Sequence, residues 1–209
     1  MKLQSLVLAA ATALTMTTAF AVPAGTWTVA AGAHYVDPKS DNGTLNNGLS
    51  VDVDGDVRPT ISGEYFIANN VGVELLAAIP FHHDFNLNNP DGTTALTGKT
   101  QHLPPTLSLQ YHFDGYNMPM NVKPFVGVGV NYTTFFKEKL NLNGSELKLD
   151  DSVGVAGHIG LDIPFAATES FRIDARYMDI KTDATLNGDA IGEIDISPWV
   201  YGVAFVKQF

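Results

Sequence analysis

The chain has 209 residues, no cysteine, 12 basic against 22 acidic residues and a formal net charge of −10. This balance argues against a nucleic-acid partner, which needs basic surface. Without cysteine, no disulfide can hold an exported fold together, so the chain must rely on its own core or on closed hydrogen bonding.

The first residues, MKLQSLVLAAATALTMTTAFA, carry one lysine, an apolar stretch around positions 6–14, and the small-x-small site Ala19-Phe20-Ala21. That pattern predicts a secretory signal over residues 1–21, leaving residues 22–209 as one domain. No later run approaches the ~18 apolar residues of a transmembrane helix.

Period-two alternation then dominates and helical periodicity is scarce. The first strand is expected over 26–36, with Trp27 and Tyr35 near its ends. Strands at 58–67 and 71–81 follow, joined by Asn69-Asn70. The fourth, 102–113, contains LPPTLSLQYHF, in which Pro104 and Pro105 remove two adjacent backbone donors. Four more are expected at 122–135, 152–165, 171–181 and 194–209. Several are 10 residues or longer, suited to tilted spans of a bilayer. The links alternate strictly: short at 69–70, 114–121 and 166–170, long and rich in Asn, Gly and Asp at 37–57, 83–101, 137–151 and 182–193. Eight strands with short turns at one rim and long loops at the other predict an all-β, antiparallel transmembrane barrel with periplasmic turns and extracellular loops.

One face of each strand is apolar. It carries Val153, Val155, Gly157, Ile159, Leu161, Ile163 and Phe165 in one strand, Val71 through Ile79 to Phe81 in another, and Trp199, Tyr201, Val203 and Phe205 in the last. Trp27, Tyr35, Tyr65, Phe81, Phe113, Tyr132, Phe165, Phe171 and Phe209 fall near strand ends, as in the aromatic girdles of an outer-membrane barrel. The opposite phase should line a narrow lumen, and its polarity is graded. Glu64, Glu74, Gln110, His112, Lys123, Asp162, Arg172, Asp174 and Arg176 lie toward the short turns. Val36, Ala78, Pro80, Pro104, Phe135, Met178, Ile180 and Ile196 lie toward the long loops. Charges in so small a barrel must be paired or solvated. The expectation is a polar plug on the periplasmic side below an apolar outer lumen. Pro104 and Pro105 are then either a strand-end kink or a lateral opening in the wall.

The run LPPTLSLQYHF, with KPFVGVGVNYTTFF (123–136), RIDARYMDIKTDA (172–184) and DISPWVYGVAF (195–205), resembles the OmpW family of outer-membrane proteins. The resemblance implies a monomeric eight-stranded barrel, passive uptake of small hydrophobic solutes and lateral release at a proline pair like Pro104-Pro105. It also implies contact with outer-membrane lipids and with the barrel assembly machinery. Phe209 keeps the terminal aromatic of an assembly signal, although Lys207 stands where the family usually has an outward aromatic.

Other chemistry is weaker. His82 and His83 point to opposite faces and, with His102, read as solvated loop histidines rather than metal ligands. His112 and His158 are plug candidates. Ser108, His112 and Asp162 share the lumen without the spacing of a triad, which leaves a lipid-modifying enzyme as a minor alternative. A structural or adhesive barrel acting through its acidic loops is another. No cofactor or metal is expected.

Overall fold

The structure is a computed structural model that describes residues 21–114 and 118–209. The signal expected at 1–21 lies, apart from Ala21, outside the described residues. Among the described residues fourteen strands follow in chain order. They are β1 (Trp27–Asp37), β2 (Ser50–Val53), β3 (Asp56–Ala68), β4 (Val71–Ala78), β5 (Phe81–Asn88), β6 (Thr94–Leu103) and β7 (Thr106–His112). β8 (Lys123–Leu140), β9 (Leu147–Leu149), β10 (Ser152–Ala166), β11 (Glu169–Met178), β12 (Lys181–Leu186), β13 (Asp189–Asp195) and β14 (Trp199–Gln208) complete them. Eight strands (β1, β3, β4, β7, β8, β10, β11 and β14) pair antiparallel, and β8 pairs with β10 to close the barrel. Closure leaves no edge to solvate, which a wall in hydrocarbon requires.

Alternation sets which face meets lipid. Val128, Val153, Val155, Ile159 and Val203 are exposed on the outside, and the outward phase between the girdles carries no charged residue. Trp27 packs on Tyr65 and Phe165 on Phe171 near the short turns; Tyr177 packs on Trp199 near the long loops. These pairs mark the two girdles, where amphipathic rings suit the interface.

The long links are not irregular loops. Residues 83–101 are mostly the β5–β6 hairpin, which pairs onto the outer end of β8, with β2 added on β5. β9, β12 and β13 form a separate three-stranded sheet. The outward face of this extension is polar, with His82, Asp84 and Lys99 exposed, so it stands beyond the hydrocarbon.

Two expected strands are interrupted. Residues 71–81 split at Ile79-Pro80 into β4 and β5, and 102–113 split at Pro104-Pro105 into β6 and β7. The first split also corrects the side of Phe81. Outward residues of β4 are odd-numbered through the exposed Ile79, yet Phe81 is only 2% exposed and faces the core with His83, Phe85 and Leu87. The added residue in this stretch turns the strand over, so Phe81 belongs to the lumen and not to a girdle.

A lysine at Ile159, midway between the girdles, is expected to cost about 2–4 kcal/mol. The same change at Val153, whose register partner is the girdle residue Tyr132, should cost about 0–1 kcal/mol. Denaturant titration of the barrel refolded into lipid vesicles measures both.

Candidate functional site

The lower lumen is filled by one connected polar network. Arg172 grips Asp162 through two bonds, Nε to Oδ1 at 2.7 Å and Nη2 to Oδ2 at 2.9 Å, and lies 4.3 Å over the Phe125 ring. Glu74 accepts from Arg176 Nη2 and from Gln110 Nε2, both at 2.7 Å, with Arg172 Nη1 at 3.5 Å. His158 joins this group to Asp174: its Nε2 donates to Asp174 at 3.0 Å, and its Nδ1 accepts from Gln110 at 2.9 Å. Those partners fit the neutral ring, with one donor and one acceptor. His34 Nε2 also reaches Asp174, at 3.2 Å, while its Nδ1 meets Thr60 Oγ1 at 2.6 Å. His112 bonds Glu64 at 2.8 Å, and Lys123 bonds Asp114 at 2.8 Å near the short-turn rim. Glycines make the room. A Cβ at Gly72 would run into the Glu64 carboxylate, one at Gly202 into the His34 ring, and one at Gly160 into the Phe125 ring.

Above this network the lumen turns apolar. Val36, Leu76, Ala78, Phe81, Pro104, Met178, Ile180 and Val200 line a small cavity together with His34, Thr60, His102 and Pro198. It has space for about one water molecule. A larger guest must therefore move side chains, among which the unbranched Met178 yields most easily.

Beside this chamber the wall is interrupted. β4 pairs with β7 as far as Leu76↔Thr106, and β5 resumes with β6 at Phe81↔His102. Between them Ala77–Pro80 stands opposite Leu103–Pro105, four residues against three, with no register partners across. Pro80, Pro104 and Pro105 all meet at this gap, and none has an N–H to give. Each lip is tied to the strand behind it. Ile79 donates to the Pro59 carbonyl at 3.2 Å, and Tyr132 donates to the Pro105 carbonyl at 3.0 Å. The buried Asn131 amide donates to the carbonyls of Pro104 and Pro105 and to Thr106 Oγ1, at 3.1, 3.3 and 3.0 Å.

The closed eight-stranded wall matches known outer-membrane proteins. A profile described as the OmpW family matches residues 18–209. Outer membrane protein W of Vibrio cholerae is 35% identical, covering 97% of each chain. The chain belongs to the OmpW family. The crystal structure of OprG from Pseudomonas aeruginosa superposes with a TM-score of 0.77 at 34% identity, covering 90% of this chain and 98% of that one. A protein of Pseudomonas aeruginosa named dibenzothiophene metabolism operon protein PahQ is 30% identical over 54% of this chain and 53% of its own. The family places the barrel in the Gram-negative outer membrane. None of these relatives is named as an enzyme.

With the OmpW barrel in place, the sequence-predicted residues sort cleanly. Glu64, Glu74, Gln110, His112, Asp162, Arg172, Asp174 and Arg176 are buried and bonded together, while Lys123 is half-buried at the rim and satisfied by Asp114. Val36, Phe135, Met178, Ile180 and Ile196 are buried in one apolar cluster, and Ala78 packs against it. Pro80 is half-buried at the gap instead of lining the chamber. Ser108, His112 and Asp162 do not combine, because His112 is held by Glu64 and Asp162 by Arg172. His83 and His102 are not solvated as expected: both are buried and stacked, because the hairpin that carries them is ordered sheet. Among the described residues no group of three or more ligating side chains could hold a metal. Phe209 is exposed at the last position, its N–H bonded to the Trp27 carbonyl, and Lys207 pairs with Glu169 at 2.8 Å. His34, Thr60 and Asn131 were missed. Each lies on an inward phase, and a polar residue there is the signal that would have found it.

Glu74→Ala is expected to cost about 3–5 kcal/mol, since it leaves the buried Arg176 guanidinium without its nearest carboxylate. Asn131→Ala should cost about 1–3 kcal/mol, because it removes the amide donor to both proline carbonyls and leaves the buried Thr133 hydroxyl without its acceptor. Shifts of the unfolding midpoint in detergent, with unchanged heat-modifiable gel migration of the folded form, measure each.

Proposed function

We propose that this barrel is a passive channel for small hydrophobic molecules, which arrive from outside, lodge in the apolar outer lumen and leave sideways into the membrane. The observation that carries this reading is the gap between Ala77–Pro80 and Leu103–Pro105, which opens beside the apolar chamber. A solute moving straight down would have to break a buried ion-pair network, and separating such pairs leaves uncompensated charge. Val36, Ala78, Phe135, Met178, Ile180 and Ile196 accept the solute, and Pro104, Pro105 and Pro80 frame its exit. Glu64, Glu74, Gln110, His112, Lys123, Asp162, Arg172, Asp174 and Arg176 act as the plug. Parting the lips at the gap breaks no ladder hydrogen bond, so the wall can yield there at lower cost than elsewhere. A relative named for a dibenzothiophene metabolism operon fits an apolar solute. The work needs no cofactor and no energy source. The channel acts as a monomer among outer-membrane lipids, with Phe209 serving the assembly machinery during insertion.

The test is uptake of radiolabelled n-octane by cells that lack other channels for it. The wild type is compared with Pro104→Ala/Pro105→Ala and with an empty vector, folding being verified by heat-modifiable migration. The double variant is expected to lower uptake at least fivefold, because it restores two donors and lets the wall close. Equal uptake by the folded variant removes the exit from this gap, and wild-type uptake no faster than the empty vector removes the channel.

A further inference from the structure

The outer chamber is not wholly apolar. His102 lines it, is 0% exposed, and neither ring nitrogen has a hydrogen-bond partner. Its ring stacks on that of His83, centroids 4.7 Å apart and planes within 6°. His83 Nδ1 is 2.5 Å from the Asp54 carbonyl oxygen. A carbonyl can only accept, so Nδ1 carries the proton and Nε2 is left as a bare acceptor, itself buried and unpartnered. Thr100, the cross-strand partner of His83, adds an unpartnered hydroxyl.

Both rings stand in the extension beyond the membrane-spanning wall. Burial, reinforced by the neighbouring imidazole, holds His102 well below the ordinary imidazole value. Burial also lowers His83, against the opposing pull of the Asp54 carbonyl. Both rings are therefore neutral at pH 7. Of the two rings only His102 lines the chamber, where it offers one bare acceptor nitrogen and one N–H. An unpaired buried polar group is costly, and a site built around such groups discriminates strongly between a guest that satisfies them and one that does not. An alkane satisfies none, and an ether or ketone only accepts. A hydroxyl donates to a bare nitrogen and can accept as well.

We propose that His102, backed by His83, is a recognition point in the outer chamber that selects apolar compounds carrying a hydroxyl group over plain hydrocarbons. The apolar wall formed by Val36, Phe81, Met178 and Ile180 takes the hydrocarbon part, and His102 fixes the polar end. This deepens the channel reading, on which it rests for the route by which the guest arrives.

The experiment is ¹⁵N-imidazole NMR of the barrel in lipid nanodiscs titrated with 1-octanol or n-octane. Octanol is expected to shift the bare ring nitrogen of His102 to lower frequency, as hydrogen-bond acceptance does, and octane to leave it in place. His102→Phe should weaken octanol binding about tenfold, the worth of one buried hydrogen bond. It should also reduce the octanol-to-octane uptake ratio in cells. His83→Phe, which leaves the His102 ring to be observed, serves if His102→Phe does not fold. Equal responses to octanol and octane, no response to either, or wild-type octanol affinity in a folded His102→Phe variant overturns the proposal. The ring shifts report binding without transport, whereas octane uptake reports the channel, so each reading can fail alone.

Discussion

Backbone hydrogen bonding in the absence of water governs this molecule. In hydrocarbon an unpaired N–H or C=O has nowhere to turn, so the wall must close on itself, and the pairing of β8 with β10 is the step that closes it. Every departure from that rule then needs local compensation. At the gap the compensation is explicit. Three of the residues that face one another are prolines with no donor to lose, and the carbonyls of Pro104 and Pro105 are served from behind by Asn131 and Tyr132. An interruption so provided for is a built feature of the wall.

The same scarcity of solvent shapes the interior. Four carboxylates of the central network face only two guanidinium groups, since Lys123 is occupied by Asp114 at the rim. Histidines 34, 112 and 158 supply the remaining donors, and Gln110 links Glu74 to His158. The bonds of this network tie each member to a neighbour on another strand. The inward glycines of the surrounding strands belong to it, giving up their own side chains so that long polar ones can cross the lumen. A bonded polar network below and an apolar chamber above divide the lumen into two chemically unlike halves.

Much of this was legible in the residues. Strict alternation in 152–165 and 199–205 identified lipid-facing and lumen-facing sides without error, because no bulge intervenes in mid-wall and charge is confined to one phase. The inward position of the polar residues in the lower lumen was legible for the same reason. Failure began where alternation continued under a misleading composition. Phe81, His83, Phe85 and Leu87 repeat with period two, yet the Asn, Gly and Asp around them suggested loop, so an ordered hairpin and its buried histidines were overlooked. Pairwise hydrogen bonds such as Asn131 to the proline carbonyls depend on cross-strand register, which one chain read linearly does not contain.

The extra residue between Leu76 and Phe81 bears on how such a chain can evolve. In an exposed hairpin tip an inserted or deleted residue is ordinarily absorbed by the turn. Here the count between two paired segments decides which half of a strand meets the core. A single-codon deletion in that stretch would rotate Phe81, His83, Phe85 and Leu87 into water and bring His82 and Asp84 inside. Related barrels should therefore vary freely in length at the tip around residues 89–93 while holding the spacing from 77 to 80 constant, and an alignment that places a gap there has misjudged the frame.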